Sequence, residues 1–498
     1  MPAHYGLVML PEIVLSVWAM IVLLVDVFRK GSRSEPSSSS MPWLVLIGVA
    51  LATFANAWIA GLHETGAPGM VAVDGFRIFS NFVFLLAAAL FVLISTRYID
   101  EERLRLGELY VLIMFATVGM MVFAGARDLI VMFIGLELMS LPVYVLTGIN
   151  RRDRRSAEGA LKYFLLGAFS SAFFLFGIAL AYGGAGSTNL ASIAMAVGID
   201  GIGASPLLIV ATALLAVGFG FKVAAVPFHM WTPDAYEGAP APVTAFMAAG
   251  VKAAGFAGFI RVFMTAFPGL YESWDGIAIW LAVLTMVGAN LIALVQGNVK
   301  RLLAYSSIAH AGYLLVALAA ASLLGVASFL FYAVVYTLMT MGAFAVLIVV
   351  AGRGEDRLDL DAYGGLAWRS PFVGIVMTIF LLSLAGFPFT GGFIAKVFIV
   401  RAAVEKGLIL LAVVLVMTSL ISYFYYLRVA WYMWFRDADE ERAAQPLAIA
   451  PAMTLALVIT AVGTVLLGVF PNVLLGLAER GAADLLQIPA ALLGLGTS

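Results

Sequence analysis

Runs of about 20 consecutive apolar residues recur along the whole chain, the length an α-helix needs to cross the hydrocarbon core of a bilayer. Fourteen are read, at roughly 6–28, 42–61, 76–96, 108–124, 128–148, 160–182, 206–229, 240–264, 276–296, 302–322, 326–350, 371–401, 408–434 and 447–470. Lipid offers the backbone no hydrogen bonds, so such runs must be helices. Composition agrees: 63% of the 498 residues are hydrophobic and 11% charged, where a soluble domain is nearer a quarter charged. The expectation is an all-α polytopic membrane protein. Segment 187–200 is too short to span and is placed at the interface. No Lys or Arg precedes the run ending at Phe28, and Arg29 and Lys30 follow it, so this stretch reads as a retained first span.

Net charge is −1, which gives no argument for nucleic acid. Cysteine is absent, excluding disulfides, thiolate zinc sites and cysteine-ligated iron–sulfur clusters. His4, His63, His229 and His310 lack metal-ligand spacing, so no metal is expected. Placing the N-terminus outside puts Arg29, Lys30 and Arg33, Arg97, Arg103 and Arg105, the cluster Arg151–Arg155, Lys300 and Arg301, Arg353, Arg357 and Arg369, and Arg436 and Arg442 in inside loops. These outnumber Arg77, Arg127, Arg261, Arg401, Lys406 and Arg480 on the other side. Both termini are therefore expected outside. Gly31–Ser40 and Gly352–Asp361 read as solvated loops, and the cluster at 151–155 as a topology determinant.

Lysine at a bilayer centre costs roughly 2.5–3.5 kcal/mol even on a lenient scale. Yet Lys222, Lys252 and Lys396 lie inside apolar runs, with Glu137 as a matching acid and His310 following AYSSIA. Such groups must face protein or water. A lysine caught between desolvation and a nearby carboxylate can titrate at accessible pH, and histidine is the natural intermediate between two lysines. Together they read as a proton relay. Each has a plainer reading: snorkelling for the lysines, a structural ion-pair role for Glu137, a hydrogen-bonded core position for His310. Lys162, near a span end, and His229, two turns after Lys222 on the same helical face, are weaker candidates. Glu12 is expected to be solvated.

Two charged spans are broken. Pro227 follows Lys222, and Gly386, Pro388, Gly391 and Gly392 precede Lys396. Such breaks belong beside protein or a water-filled cavity, and paired breaks in two halves mark an ion path. The seventh and twelfth spans are five apart. Because five is odd, a five-span unit repeated at once re-enters from the opposite side. The expected organisation is a three-span segment at 1–107, inverted five-helix repeats at 108–264 and 276–434, and a last span with C-terminal tail at 447–498.

The runs GLELMSLPVYVL, GALKYFLLGAFSSAFFLFGIAL, FKVAAVPFHMWTPDAYEGAPAPVTAF, RLLAYSSIAHAGY and GFPFTGGFIAKVF resemble the subunit N family of bacterial proton-pumping NADH–quinone oxidoreductase (respiratory complex I), whose mitochondrial counterpart is subunit 2. The resemblance covers nearly the whole chain. It implies an antiporter-like fold of about fourteen spans with two inverted five-helix units. It also implies that Glu137 pairs with the Lys222 position, that Lys252 and Lys396 are the central and broken-helix lysines, and that Lys162, His229 and His310 lie along a hydrated axis. Protons would cross this subunit, driven by quinone reduction elsewhere. FMN, iron–sulfur clusters and quinone would sit in other subunits. Partners would be other complex I membrane subunits, including antiporter-like neighbours, and lipids, in the bacterial inner membrane. Subunit M carries a glutamate where Lys396 stands, and subunit L adds a long lateral helix after its last spans. The alternatives on the residues alone are a self-contained cation–proton antiporter or a subunit of a multi-chain antiporter of the same ancestry, a membrane scaffold with fossil charges, and a solute carrier.

Overall fold

The computed structural model describes residues 5–28, 40–61, 69–102, 104, 106–198, 205–437, 447 and 449–492. Its long helices are α1 (Leu10–Phe28), α2 (Met41–Ala60), α3 (Gly75–Glu101), α4 (Leu106–Gly125), α5 (Leu129–Thr147) and α6 (Arg154–Ala185). A broken α7 follows, as α7a (Pro206–Val223) and α7b (Thr232–Gly238), then α8 (Ala241–Thr265), α9 (Tyr271–Leu294), α10 (Val299–Ala320) and α11 (Leu323–Ala351). A second broken helix, α12a (Pro371–Ala385) and α12b (Gly391–Glu405), precedes α13 (Ile409–Phe435), α14 (Pro451–Val469) and α15 (Asn472–Leu492). Among the described residues, thirteen helices are long and apolar enough to span; the interrupted α12 makes the fourteenth crossing. Among the described residues there are no strands, only isolated bridges.

Helices outrun the apolar runs where polar caps finish them. Asp74, Asp128, Asp153, Asn298 and Ser322 each accept an amide hydrogen bond at a helix start, satisfying donors the helix leaves orphaned. The C-terminal tail is not featureless: α15 packs beside α3 and α11, and Asp484 accepts from the Gly75 amide at 2.9 Å. Segment 187–200 holds a short helix, Leu190–Val197.

Backbone pairing carries the inverted repeat. Before α5, the Leu129 amide donates to the Thr188 carbonyl and Leu190 to Arg127, each at 2.9 Å. Before α10, Val299 donates to Leu358 at 2.7 Å and Leu360 to Gly297 at 3.0 Å. Positions 127, 129, 188 and 190 thus recur as 297, 299, 358 and 360, each shifted by one interval. Five crossings separate the two pairings, so they lie at opposite ends of the bundle. The end bearing Arg97, Arg151–Arg155, Lys300, Arg301 and Arg353 is called the basic face below. Helices α8, α10 and α11 are wrapped by protein, while α1, α6, α13 and α14 turn much of their surface outward. The intramembrane lysine and histidine of α8 and α10 are therefore held in the middle, as the cost of charge in lipid requires.

Candidate functional site

The α8 helix widens to a π-turn over Met247–Val251, one residue before Lys252; such bulges recur at functional positions. Lys252 is buried. Its Nζ donates to the Ser307 carbonyl at 2.7 Å and to the Ser307 hydroxyl on α10, and lies 6.0 Å from the centre of the Tyr236 ring. A buried ammonium needs such acceptors, since desolvation is not otherwise offset.

Three residues along α10, on the same side of the helix, stands His310, also buried. Its Nδ1 shares a hydrogen bond with the Tyr332 hydroxyl at 2.6 Å and its Nε2 with the Tyr426 hydroxyl at 3.2 Å. The Tyr426 hydroxyl also bonds Ser306. One turn further, Tyr313 presents its ring to Lys396 Nζ at 4.8 Å and its hydroxyl to Asn290 at 3.4 Å. Lys396 donates to the Leu384 and Ala385 carbonyls at 3.0 and 2.8 Å. These are orphan carbonyls at the C-terminal end of α12a, where a cation is favoured. The break that creates them turns on Gly386, whose φ of +89° is left-handed and whose added Cβ would sit 3.0 Å from Lys396 Cδ. Ser307, His310 and Tyr313 together span about 9 Å of α10. They stand between Lys252, which bonds Ser307, and Lys396, which lies against the Tyr313 ring.

Lys222 ends α7a, buried, with Nζ 2.8 Å from the Ser140 hydroxyl and 6.0 Å from the Tyr163 ring centre. Its stem lies against Gly255 of α8, where an added Cβ would be 3.4 Å from Lys222 Cγ. Glu137 is half-buried on α5, three residues before Ser140, and accepts from the Ser171 hydroxyl at 2.6 Å. The two charges face one another across Ser140 and do not close a direct ion pair.

The structure gathers Lys222, Lys252, His310 and Lys396 into the interior, with Glu137 at its edge. Lys162 and His229 lie elsewhere. Lys162 sits at the basic face with its side chain 44% exposed, paired with Glu158 and Asp234 at 2.7 Å each. His229 does not continue the face of Lys222, because α7a stops at Val223 and residues 224–231 form the break; its Nδ1 is buried without a hydrogen-bond partner.

Two buried charge clusters escaped the sequence reading. Glu12 was expected to be solvated but is 2% exposed and ion-paired with Arg77 at 2.7 Å. Beside it, Asp74 accepts from both terminal nitrogens of Arg261 at 2.8 Å and from the Arg77 amide. Burial opposes ionisation of Asp74, but Arg261 and the amide outweigh it and hold the carboxyl below its ordinary 3.8. At the basic face, Lys300 and Glu355 pair within protein. A charge at a span end reads as solvated unless its partner, distant in sequence, is known. Ser307, Tyr332 and Tyr426 were also unmarked, since hydroxyls are ordinary in apolar spans. Among the described residues, no group of His, Asp and Glu is arranged to hold a metal.

Residues 126–422 match the family described as NADH:quinone oxidoreductase/Mrp antiporter, TM. The NADH-quinone oxidoreductase subunit N of Trichlorobacter lovleyi is 46% identical over 475 residues, 95% of this chain and 96% of that one. A chain of respiratory complex I from Thermus thermophilus with bound aureothin superposes with a TM-score of 0.79 at 36% identity, covering 94% of this chain and 99% of its own. A chain of the Mrp complex from Dietzia sp. shares the fold, with a TM-score of 0.82 at 22% identity over 97% of this chain and 99% of its own.

Proposed function

This chain belongs to the subunit N family of the NADH–quinone oxidoreductases, antiporter-like membrane subunits of a proton-translocating complex, and from that premise we propose that its protons travel through a Glu137–Lys222–Lys252–His310–Lys396 relay. The observation that supports the proposal is that Ser307, His310 with its two tyrosine hydroxyls, and Tyr313 stand one turn apart along α10, with Lys252 bonded to the first and Lys396 against the ring of the last.

The chemistry follows from placement. Ser140 sits between Glu137 and Lys222, so a small movement of either side chain makes or breaks their attraction. Lys222 lies against the helix that carries Lys252, and a change in its distance alters the proton affinity of Lys252. A proton leaving Lys252 meets the Ser307 hydroxyl and then His310. The imidazole can accept at one nitrogen and release at the other. Lys396, held by the half-helix carbonyls, receives it. Lys162, paired at the basic face, and His229, in the break of α7, are assigned supporting places at the margin of this axis.

The chain contains no cysteine, so cysteine-ligated iron–sulfur clusters are assigned to other subunits; flavin and quinone chemistry is assigned there on the family alone, with neighbouring antiporter-like subunits and lipids as partners. The basic face is assigned to the cytoplasm and both termini to the outer side of the bacterial inner membrane. Lys252→Ala in the assembled complex tests the relay. Coupled proton translocation should fall sharply while assembly and NADH oxidation by the other subunits persist. A normal proton-to-electron ratio in that variant refutes the relay.

A further inference from the structure

The corner joining α7b to α8 holds charges that the relay does not use. Lys300 is fully enclosed, and the side chain of Glu355 is 11% exposed; they pair at 2.5 Å. Lys300 Nζ also donates to the Glu237 and Ala239 carbonyls at 2.9 and 2.6 Å, closing the C-terminal end of α7b. Glu355 accepts from the Ala241 amide at 2.7 Å, closing the start of α8, and from the Tyr98 hydroxyl at 2.6 Å. Each charge thus meets the helix terminus whose dipole favours it. Glu355 is held with φ of +51°, and Gly352 and Gly354 are also left-handed. A non-glycine residue in that region is retained only where its surroundings over-determine it.

Two features make this more than a clamp. Above Glu355 a polar basin opens on the basic face, lined among others by Glu102, Asn150, Asp153, Arg155 and Glu237. Beneath it, polar atoms lead toward Lys252. The Ala239 carbonyl that binds Lys300 is 3.4 Å from the Thr244 hydroxyl, which donates to the Tyr236 carbonyl at 2.8 Å. The Tyr236 ring then faces Lys252.

We propose that the Glu355–Lys300 pair is the gate through which protons from the basic face reach Lys252. A hydronium ion arriving from the basic face gives its proton to the Glu355 carboxylate, neutralising it, and leaves as water. Lys300 keeps its proton and its two carbonyl acceptors but loses its counter-ion, and the pair parts. Glu355 then gives the proton to a water admitted toward Thr244 by that parting and returns to the carboxylate, which closes the pair again. The proposal rests on Lys252 belonging to the relay.

The test uses the assembled complex in sealed vesicles, with Glu355→Gln, Glu355→Asp, Lys300→Gln and Lys252→Ala compared. Gln at 355 can still accept from Tyr98 and the Ala241 amide but cannot take up a proton as a carboxylate does. Glu355→Gln should slow coupled translocation about tenfold with assembly intact and should raise its solvent deuterium isotope effect, which a purely structural role leaves unmoved. Glu355→Asp should recover most of the rate. Normal translocation in Glu355→Gln beside a defective Lys252→Ala overturns the gate alone; normal translocation in Lys252→Ala overturns the relay itself. Loss of assembly in both Glu355→Gln and Lys300→Gln assigns the pair to folding and also overturns the gate.

Discussion

Replacing Asp74 by alanine should be among the most costly single changes available to the end opposite the basic face. Its carboxylate caps α3 through the Arg77 amide and binds Arg261 with both oxygens, at 2.8 Å throughout. Loss of an N-cap costs about 1 kcal/mol. Removing one partner of a buried ion pair costs about 3–5 kcal/mol, because the remaining charge is left without compensation. One carboxylate serves both roles, so about 4–6 kcal/mol is an upper bound. Most of that penalty belongs to the stranded Arg261, whose guanidinium lies 5.2 Å from the Phe76 ring centre. A double variant, Asp74→Ala with Arg261→Met, removes the charge and keeps apolar contact with Phe76. It should therefore be more stable than Asp74→Ala alone, losing about 1–3 kcal/mol. Unfolding of the purified chain in mixed micelles by increasing dodecyl sulfate, followed by fluorescence of its nine tryptophans, measures both. Asp74 ionises below 3.8 when folded. Its contribution is accordingly complete above that pH and lost as pH falls through the depressed folded value. A loss under about 1 kcal/mol in Asp74→Ala, or a double variant at least as unstable as the single, refutes the reasoning.

Other expectations concern the axis itself. Tyr332→Phe and Tyr426→Phe each strip His310 of one partner, leaving a buried nitrogen whose lost bond costs about 1–3 kcal/mol; each should slow coupled proton translocation by about tenfold in vesicles, and wild-type rates in both would remove the imidazole from the path. Gly386→Ala forces a side chain into left-handed backbone at about 1–2 kcal/mol and pushes on Lys396, so translocation should fall more than assembly, measured by native electrophoresis beside pumping. Lys162→Ala removes exposed ion pairs worth about 0–1 kcal/mol, so pumping should stay within about twofold of wild type; a deficit as large as that of Lys252→Ala would move Lys162 into the axis.

Lys222, Lys252, Lys396 and His310 stood out in the sequence because ionisable groups in apolar runs are costly enough to demand a reason, and the structure encloses all four. The two broken helices were legible for a similar reason, since proline and glycine free backbone groups that lipid leaves unsatisfied. Geometry across the breaks was not. Helical periodicity carried from Lys222 to His229 assumes a continuous helix, and α7a ends at Val223. Nor could the sequence say that Lys222 bonds Ser140, that Lys252 bonds Ser307 or that His310 bonds Tyr426, because those partners come from helices remote in the chain. Glu12 illustrates the limit most sharply. It lies one turn from a span end, where water is the ordinary partner, and only the folded bundle brings Arg77 against it. Helix α15 was missed because its mixture of apolar and polar residues falls below what crossing lipid requires.

The matched backbone pairings ahead of α5 and α10 bear on how such a molecule could open to either side. The same stitch fastens each half, once toward each bulk phase. A loosening that wets one half from one bulk phase would, performed by its counterpart, wet the other from the opposite phase. Two opposed access routes can thus arise from one mechanical movement used twice, and sidedness is supplied by how the halves are mounted, without a separate device for uptake and discharge.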